Sequence, residues 1–462
     1  MLFNSLHFLV FFPIVTLLYY LLEHKYRWIL LFVASTYFYS AFYLPYIFIL
    51  YFIIIIDYVS GILIENSKNK AKLFWLLFSI ISNIGLLAYF KYYNFFVDVF
   101  VAYLPNIKHL DILLPIGLSF HTFQSLSYTI EVFKGNQKAE KHIGYFANYV
   151  LFFPQMVAGP IERYDSLGNE LRSNHVFKFE NISNGLRLIL YGLFVKMCIA
   201  DNLAPLVNEF YSNPTQFYSS SAWLALVAFS IQIYADFYGY STIAIGAARL
   251  LGINLMDNFK QPYFATSFYQ FWQRWHISLT TWFRNYVFFS MGGSYVNAFR
   301  WIINVLLVFS LSGFWHGANY TFIIWGFLHG LFYLIEKGFS KFIPVSIAKN
   351  KIFLAIGTFS TFILVTFIWV FFRAENLDKA ILVLKQCFTY SSFATKELIF
   401  SYQTLAMLVV LIFIEVSIYK SRFDTFLQNQ KIYVRWAIYI LLAFCLLLFS
   451  GIQSYQFIYF QF

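Results

Sequence analysis

The chain has 462 residues, of which 60% are hydrophobic, 23% aromatic and only 11% charged. A soluble domain carries about 25% charged residues, so the composition excludes an ordinary soluble fold and predicts an all-α integral membrane protein. The net charge of +11 does not call for nucleic acid, because basic residues on cytoplasmic loops set membrane topology; the partner this surface requires is the lipid bilayer.

The opening stretch, MLFNSLHFLVFFPIVTLLYYLL, has no basic leader region and no small-residue cleavage site, so Ser5 to Leu22 is expected to be a retained first span. A helix needs about 20 apolar residues to cross the bilayer. On that criterion further spans are expected at 28–43, 44–64, 73–96, 111–133, 182–207, 221–251, 301–316, 320–336, 352–372, 402–419 and 433–451. Residues 143–160 are short and end in Gly-Pro, and 265–295 are aromatic yet contain Arg274, His276 and Arg284. Both are expected to be re-entrant or interfacial, since non-helical backbone at membrane depth needs protein or a water-filled cavity around it.

Twelve spans with both termini outside would put Lys68, Lys70, Lys72, Lys134, Lys138, Lys141, Arg163, Arg172 and most other basic residues on the cytoplasmic side. The polar loops near 161–181 and 374–400 are too short to fold alone. No internal repeat is visible, and the chain reads as a single polytopic domain over 1–462. Cys198, Cys387 and Cys445 are far apart and form neither a disulfide framework nor a CxxC pair. No H-E-x-x-H pair, phosphate loop or G-x-S-x-G elbow occurs, so no metal is expected.

Ionisable residues inside spans are costly and mark function by default. His121 has Ser119, Thr122, Gln124 and Ser125 beside it; this stripe could line a passage, but a buried interhelical hydrogen-bond network is the better reading. Asp236, in YADFYGYS, needs a basic partner in the core. His276 lies between Arg274 and Arg284 in FWQRWHISLTTWFRNYVFFSMGG. Spacing alone favours an amphipathic interfacial segment whose arginines face lipid phosphates; the alternative is a cavity whose guanidiniums bind a phosphorylated cofactor.

His316, in LSGFWHGANYTFIIWGFLHG, has the small neighbours Gly313, Gly317 and Ala318, which let a backbone or a substrate approach. Asn319 follows three residues on, near one turn if the helix continues. An imidazole with a pKa near 6.5 suits proton removal from a hydroxyl, although a neutral histidine satisfied by a buried partner would look the same. His329 lies thirteen residues after His316, about 3.6 turns away and on another side of an ideal helix, so a structural role is expected for it.

The two blocks FWQRWHISLTTWFRNYVFFSMGG and LSGFWHGANYTFIIWGFLHG resemble the paired signature of the membrane-bound O-acyltransferases. The bacterial alginate O-acetyltransferase group, with its peptidoglycan O-acetyltransferase and D-alanyl-transfer relatives, is the branch most similar. LLPIGLSFHTFQSLSYTIEVFKG, FANYVLFFPQMVAGPIERY, QIYADFYGYSTIAIGAARLLGI and the ending FIYFQF agree with it, so the resemblance covers essentially the whole chain. One departure is Arg284-Asn285, where many relatives read Arg-Asp.

The resemblance implies a helical bundle with re-entrant segments around a central passage, with His316 catalytic and His276 supporting. It makes Arg274 and Arg284 candidate neighbours of a coenzyme A entry path. It further implies acetyl-CoA as donor, a multi-pass protein of the bacterial cytoplasmic (inner) membrane, and an extracytoplasmic polysaccharide acceptor, peptidoglycan or alginate-like. A secreted partner protein is expected to complete the transfer. His316 would act as general base or through a transient acetyl-imidazole. The competing class is a transporter with His316 and His121 as a proton relay; it predicts inverted repeats, which the sequence does not display.

Overall fold

The computed structural model describes residues 1–101, 103, 106–157, 159–389, 394–450 and 457–458. Ala158 of the FANYVLFFPQMVAGPIERY motif, residues 390–393 of the second polar loop and residues 459–462 of the FIYFQF ending lie outside the described residues. Regular structure is helical, and among the described residues the β-structure is one isolated bridge, Phe217 to Lys396.

In chain order the first helices are α1 (Leu6–Leu21), α2 (His24–Ser40), α3 (Ile47–Asn66), α4 (Asn69–Leu87), α5 (Tyr93–Phe100), α6 (Leu118–Lys134) and α7 (Ile143–Leu151). They are followed by α8 (Asn169–Arg172), α9 (Phe179–Leu193), α10 (Asp201–Ser212), α11 (Ser219–Leu250), α12 (Phe268–Arg274), α13 (Ile277–Phe283) and α14 (Ala298–His316). The last are α15 (Tyr320–Phe339), α16 (Val345–Ala348), α17 (Lys351–Arg373), α18 (Leu377–Gln386), α19 (Tyr402–Ser417), α20 (Phe423–Gln428) and α21 (Ile432–Phe449).

Among the described residues, eight helical stretches are long and apolar enough to cross a bilayer: Leu44–Asn66, Asn69–Phe100, Phe179–Ser212, Ser219–Leu250, Ala298–His316, Tyr320–Phe339, Lys351–Arg373 and Ile432–Phe449. Leu6–Leu21 and Tyr402–Ser417 are shorter apolar helices. Large apolar side chains such as Leu9, Phe52, Phe74, Phe359 and Leu447 are exposed along these segments, as lipid-facing surfaces require.

The span expected at 111–133 is replaced by the 17-residue α6, which starts only at Leu118. Its polar side chains Ser119, His121, Thr122, Gln124 and Ser125 are buried, so protein rather than lipid surrounds it. It stops where Gly135 takes φ +78, a left-handed cap open to glycine at no steric cost. In the two ambiguous regions the helices are short: α7 has nine residues, and α12 and α13 have seven each.

Contacts divide the chain into two units. The first comprises Met1–Ile189 and Ser241–Met256. Its α3, α4 and α6 meet on the carboxylate of Asp57, which is fully buried. Ser79 donates to it at 2.6 Å, the Asn83 amide at 2.9 and 3.0 Å, and Ser125 completes the set. In the same unit His121 Nδ1 bonds the Val150 carbonyl at 2.9 Å, and Gln124 donates to Tyr149 O at 2.5 Å. His121, Gln124 and Ser125 of the α6 stripe therefore bond to neighbouring helices, which offsets the cost of burying them in an apolar interior.

The second unit comprises Leu190–Tyr240 and Asp257–Phe462. A π-helical turn, Phe194–Ala200, joins α9 to α10 and carries Lys196. The Lys196 ammonium pairs with Asp201 at 2.8 Å and with Asp236 at 2.5 Å, all three buried. Lys196 is thus the basic partner that Asp236 needs. The other Asp236 oxygen accepts the Ile458 N–H at 2.6 Å. Charges at this depth persist only when paired and hydrogen-bonded.

Candidate active site

All the residues of this site belong to the second unit. Ser267 caps α12 by accepting the Gln270 N–H at 3.1 Å, and the Glu336 carboxylate takes the Phe268 N–H at 2.5 Å. The helix ends at Arg274, and two residues later His276 adopts φ 43 and ψ 55 as the residue before α13. A left-handed backbone costs a non-glycine residue on the order of 1–3 kcal/mol and persists only where its surroundings over-determine it.

Asn258 and its neighbours supply that constraint. The Asn258 carbonyl accepts the Ile277 N–H at 3.0 Å, and the Arg274 carbonyl accepts the Lys260 N–H at 3.0 Å. Asn258 Oδ1 accepts the Ser278 N–H at 3.2 Å and the Ser278 hydroxyl at 2.9 Å. The same oxygen lies 3.2 Å from His276 Nδ1. An amide oxygen only accepts, so the His276 proton resides on Nδ1 and Nε2 carries the lone pair.

His276 is fully buried, with the Phe237 ring edge-on at 4.7 Å. The His316 ring stands 6.3 Å from it, centroid to centroid. His316 is the last residue of α14, which is capped at its start by Asn297 and gives way to extended backbone at Gly317. Asn319 does not continue that helix: its Oδ1 caps α15 by accepting the Thr321 N–H at 3.1 Å, and its amide donates to Glu375 O at 2.8 Å. His316 and His329 therefore lie on separate helices, and ideal-helix geometry does not relate them.

Aromatic rings wall His316, among them Trp315 at 4.9 Å, Trp325 at 5.2 Å and Phe372 at 5.4 Å. Trp325 also touches His329 at 4.9 Å and so separates the two imidazoles. His329 is fully buried, stacked on Phe271 at 5.9 Å and edge-on to Trp272 at 4.9 Å. It fills an aromatic box behind the site.

The histidines come together, whereas the arginines lie apart from them. Arg274 is half-buried, donates to the Tyr419 hydroxyl at 3.2 Å and lies over that ring. Arg284 is exposed at the start of a π-helical turn, Arg284–Phe288. Sequence reading passed over Asn258, Phe237, Trp325 and Phe372. Asn258 stands in a polar loop 18 residues before His276, and no periodicity there announces a contact.

An all-α polytopic membrane protein with a buried histidine pair at broken helix ends narrows the class to membrane-embedded enzymes and transporters. The family model of the membrane-bound O-acyltransferases matches residues 138–377. A probable alginate O-acetylase of Pseudomonas aeruginosa is 37% identical over 412 residues, covering 86% of this chain and 77% of that protein. A peptidoglycan O-acetyltransferase of Helicobacter pylori is 33% identical over 390 residues, covering 78% and 72%. A teichoic acid D-alanyltransferase of Bacillus subtilis is 26% identical over 238 residues, covering 49% and 60%. The chain belongs to the membrane-bound O-acyltransferase family and is an acyltransferase. The transporter alternative gives way to that membership.

Proposed function

We propose that this enzyme acts in the bacterial inner membrane as one polytopic O-acetyltransferase domain. It takes an acetyl group from cytoplasmic acetyl-CoA and passes it outward for O-acetylation of a cell-envelope polysaccharide, alginate-like or peptidoglycan. The pairing of His276 and His316, 6.3 Å apart and 40 residues apart in sequence, carries the reading. The names of the alginate and peptidoglycan relatives support acetyl as the group and an extracytoplasmic polymer as the acceptor. The polar loops near 161–181 and 374–400 are short, which supports a secreted partner that receives the acetyl group or finishes the transfer.

In this mechanism His316 is the general base. It removes the proton of the acceptor hydroxyl as that oxygen attacks the thioester carbonyl. The acyl C–O bond forms, the C–S bond breaks, and the imidazolium returns the proton to the departing thiolate, releasing coenzyme A. Such a positioned base is worth about 10²–10⁴-fold. His276, with its proton held at Nδ1 by Asn258, stands 6.3 Å from His316 and supports it without taking the acceptor proton itself. The aromatic walls exclude water and limit thioester hydrolysis. Arg274 and Arg284 serve the phosphates of the coenzyme, a task suited to the guanidinium fork.

The test is acetyl transfer from radiolabelled acetyl-CoA by purified protein, with and without a secreted partner and its polysaccharide. Acceptor-dependent release of coenzyme A is expected. His316→Ala should abolish polymer acetylation while the protein remains inserted and abundant; a wild-type rate in that variant removes His316 from the role. Replacing Arg274 and Arg284 should weaken acetyl-CoA binding, and unchanged binding assigns them to the lipid interface.

A further inference from the structure

We infer that a cleft at the basic end of the first unit binds a phosphate diester with a glycerol-sized body, at the level of the lipid headgroups. The inference does not depend on acyl transfer at His316.

The cleft has a volume of about 350 Å³, and its walls include Gln137, Lys138, Lys141, Tyr164, Asp165 and Arg172. All of them belong to the first unit. They come from two segments, the loop after α6 and the π-helical turn Tyr164–Gly168 that runs into α8. The loop lies along the end of α3. Lys141 pairs with Glu65, the Ala139 N–H donates to the same carboxylate at 3.0 Å, and the Tyr58 hydroxyl donates to the Lys141 carbonyl at 2.7 Å. Glu65 is in the last turn of the candidate span Leu44–Asn66. The cleft therefore sits where a membrane-crossing helix ends, at the depth of the headgroups. The next helix, α4, starts at this same end: its Lys72 lies over the ring of Phe133, in the last turn of α6. Lys68, Lys70 and Lys134 add positive charge there, the sign that cytoplasmic segments carry.

Most of the charged groups in the cleft are committed to one another. Glu140, 5% exposed, accepts Arg172 Nε at 3.0 Å and the His142 N–H at 2.6 Å, and it bonds a second Arg172 nitrogen and the Tyr164 hydroxyl. Arg163 stands 3.5 Å from Asp165 and 3.4 Å from Glu131. Lys138 differs. It is exposed, has no ion-pair partner among the described residues, and acts on Glu65 only at a distance. Beside it the Gln137 amide nitrogen is buried and has no hydrogen-bond partner among the described residues. A buried N–H left bare is costly.

An uncommitted ammonium next to an uncommitted amide donor suits an oxyanion. Chloride or a lone carboxylate ion would leave most of the volume unfilled, whereas a phosphate esterified to glycerol occupies it. The Asp165 carboxylate on the same wall repels a dianion and accepts from hydroxyls, which favours a singly charged diester over a phosphate monoester. Such diesters are the anions a bilayer presents at this depth, and basic pockets at the cytoplasmic surface hold them.

The experiment uses the purified full chain in an uncharged detergent. Dioleoylphosphatidylglycerol is titrated in and the bound lipid is counted by native mass spectrometry, with water-soluble glycerophosphoglycerol as competitor. One lipid should bind well above the weakly held background. Gln137→Leu combined with Lys138→Gln should raise its Kd at least about tenfold, the scale of one lost charge-assisted hydrogen bond. Lys70→Gln, an exposed lysine at the same end and outside the cleft, should leave it unchanged. An unaltered thermal midpoint shows that each variant is folded. Displacement by glycerophosphoglycerol supports the site with a soluble diester as occupant; retention of the lipid supports it with a headgroup as occupant. An unchanged Kd in the double variant, or an equal loss in Lys70→Gln, overturns the inference, because charge density alone would then hold the lipid.

Discussion

Asn258 Oδ1 holds the His276 ring at 3.2 Å while accepting both the backbone N–H and the hydroxyl of Ser278. One amide oxygen therefore does two things: it orients an imidazole and closes the turn that lifts His276 into a left-handed backbone, with φ 43. Orientation and strain are coupled at a single residue outside both sequence blocks of the family signature.

Asn258→Ala should therefore lower acyl transfer by about 10²-fold, the scale on which a misplaced catalytic group costs rate. Ser278→Ala should cost less, because the Ser278 backbone N–H still holds the Asn258 oxygen. Comparing kcat for the two variants in vesicles with equal inserted protein checks the order; equal losses would remove Asn258 from its positioning role.

Removing Lys196 leaves the carboxylates of Asp201 and Asp236 buried together without their shared cation. Breaking a buried ion pair from one side costs about 3–5 kcal/mol. Lys196→Met should sharply lower the yield of folded protein in detergent, measured by fluorescence-detected size exclusion. Adding Asp201→Asn and Asp236→Asn should restore much of it, since the triple variant buries no unpaired charge and keeps an acceptor for the Ile458 N–H.

Gly326→Ala and Gly338→Ala lie on the same helix, α15, and should behave oppositely. The first puts a methyl group 2.1 Å from the Phe309 carbonyl oxygen, while the second meets nothing within 4 Å. Overpacking costs typically about 1–3 kcal/mol; an exposed helical Gly→Ala change gains up to about 1 kcal/mol. Thermal unfolding in detergent should show a lower midpoint for Gly326→Ala and an equal or higher one for Gly338→Ala.

Glu162 is 2% exposed in a loop outside the candidate spans and accepts the Met256 N–H at 2.6 Å. Burial pushes its carboxyl up from 4.5 to about 7. In the unfolded chain the proton leaves near pH 4.5, whereas in the folded one it stays until about pH 7. The folded state binds more protons across that window, so stability falls as pH rises through it and levels off above it. The loss is on the order of 3 kcal/mol. Glu162→Gln keeps the acceptor and removes the titration. Its unfolding midpoint should match the wild type near pH 5 and exceed it at pH 8; parallel curves at both pH values would refute the assignment.

Much of the architecture was legible from composition. Runs such as Ile47–Asn66 and Lys351–Arg373 are apolar over 20 and 23 residues, and in lipid such a run has no alternative to a helix. The break at Gly317 to Asn319 was not read: the sequence set His316 and His329 on one ideal helix, whereas Gly317 ends α14 and Asn319 caps α15. The 111–133 stretch misled because hydropathy measures apolar content and does not report whether a helix faces lipid or protein; the buried polar face of α6 is surrounded by other helices.

By itself the sequence determined that this chain lives in a membrane, roughly where it crosses, and which imidazoles deserve notice, because each of those properties follows from residues adjacent along the chain. Tertiary structure decided who meets whom: Asn258 with His276, Lys196 with Asp236, and Trp325 and Phe372 with His316. These partners come from separate helices and loops, and their pairing depends on how close two backbones can approach and which ring fills the gap, quantities that no local periodicity encodes.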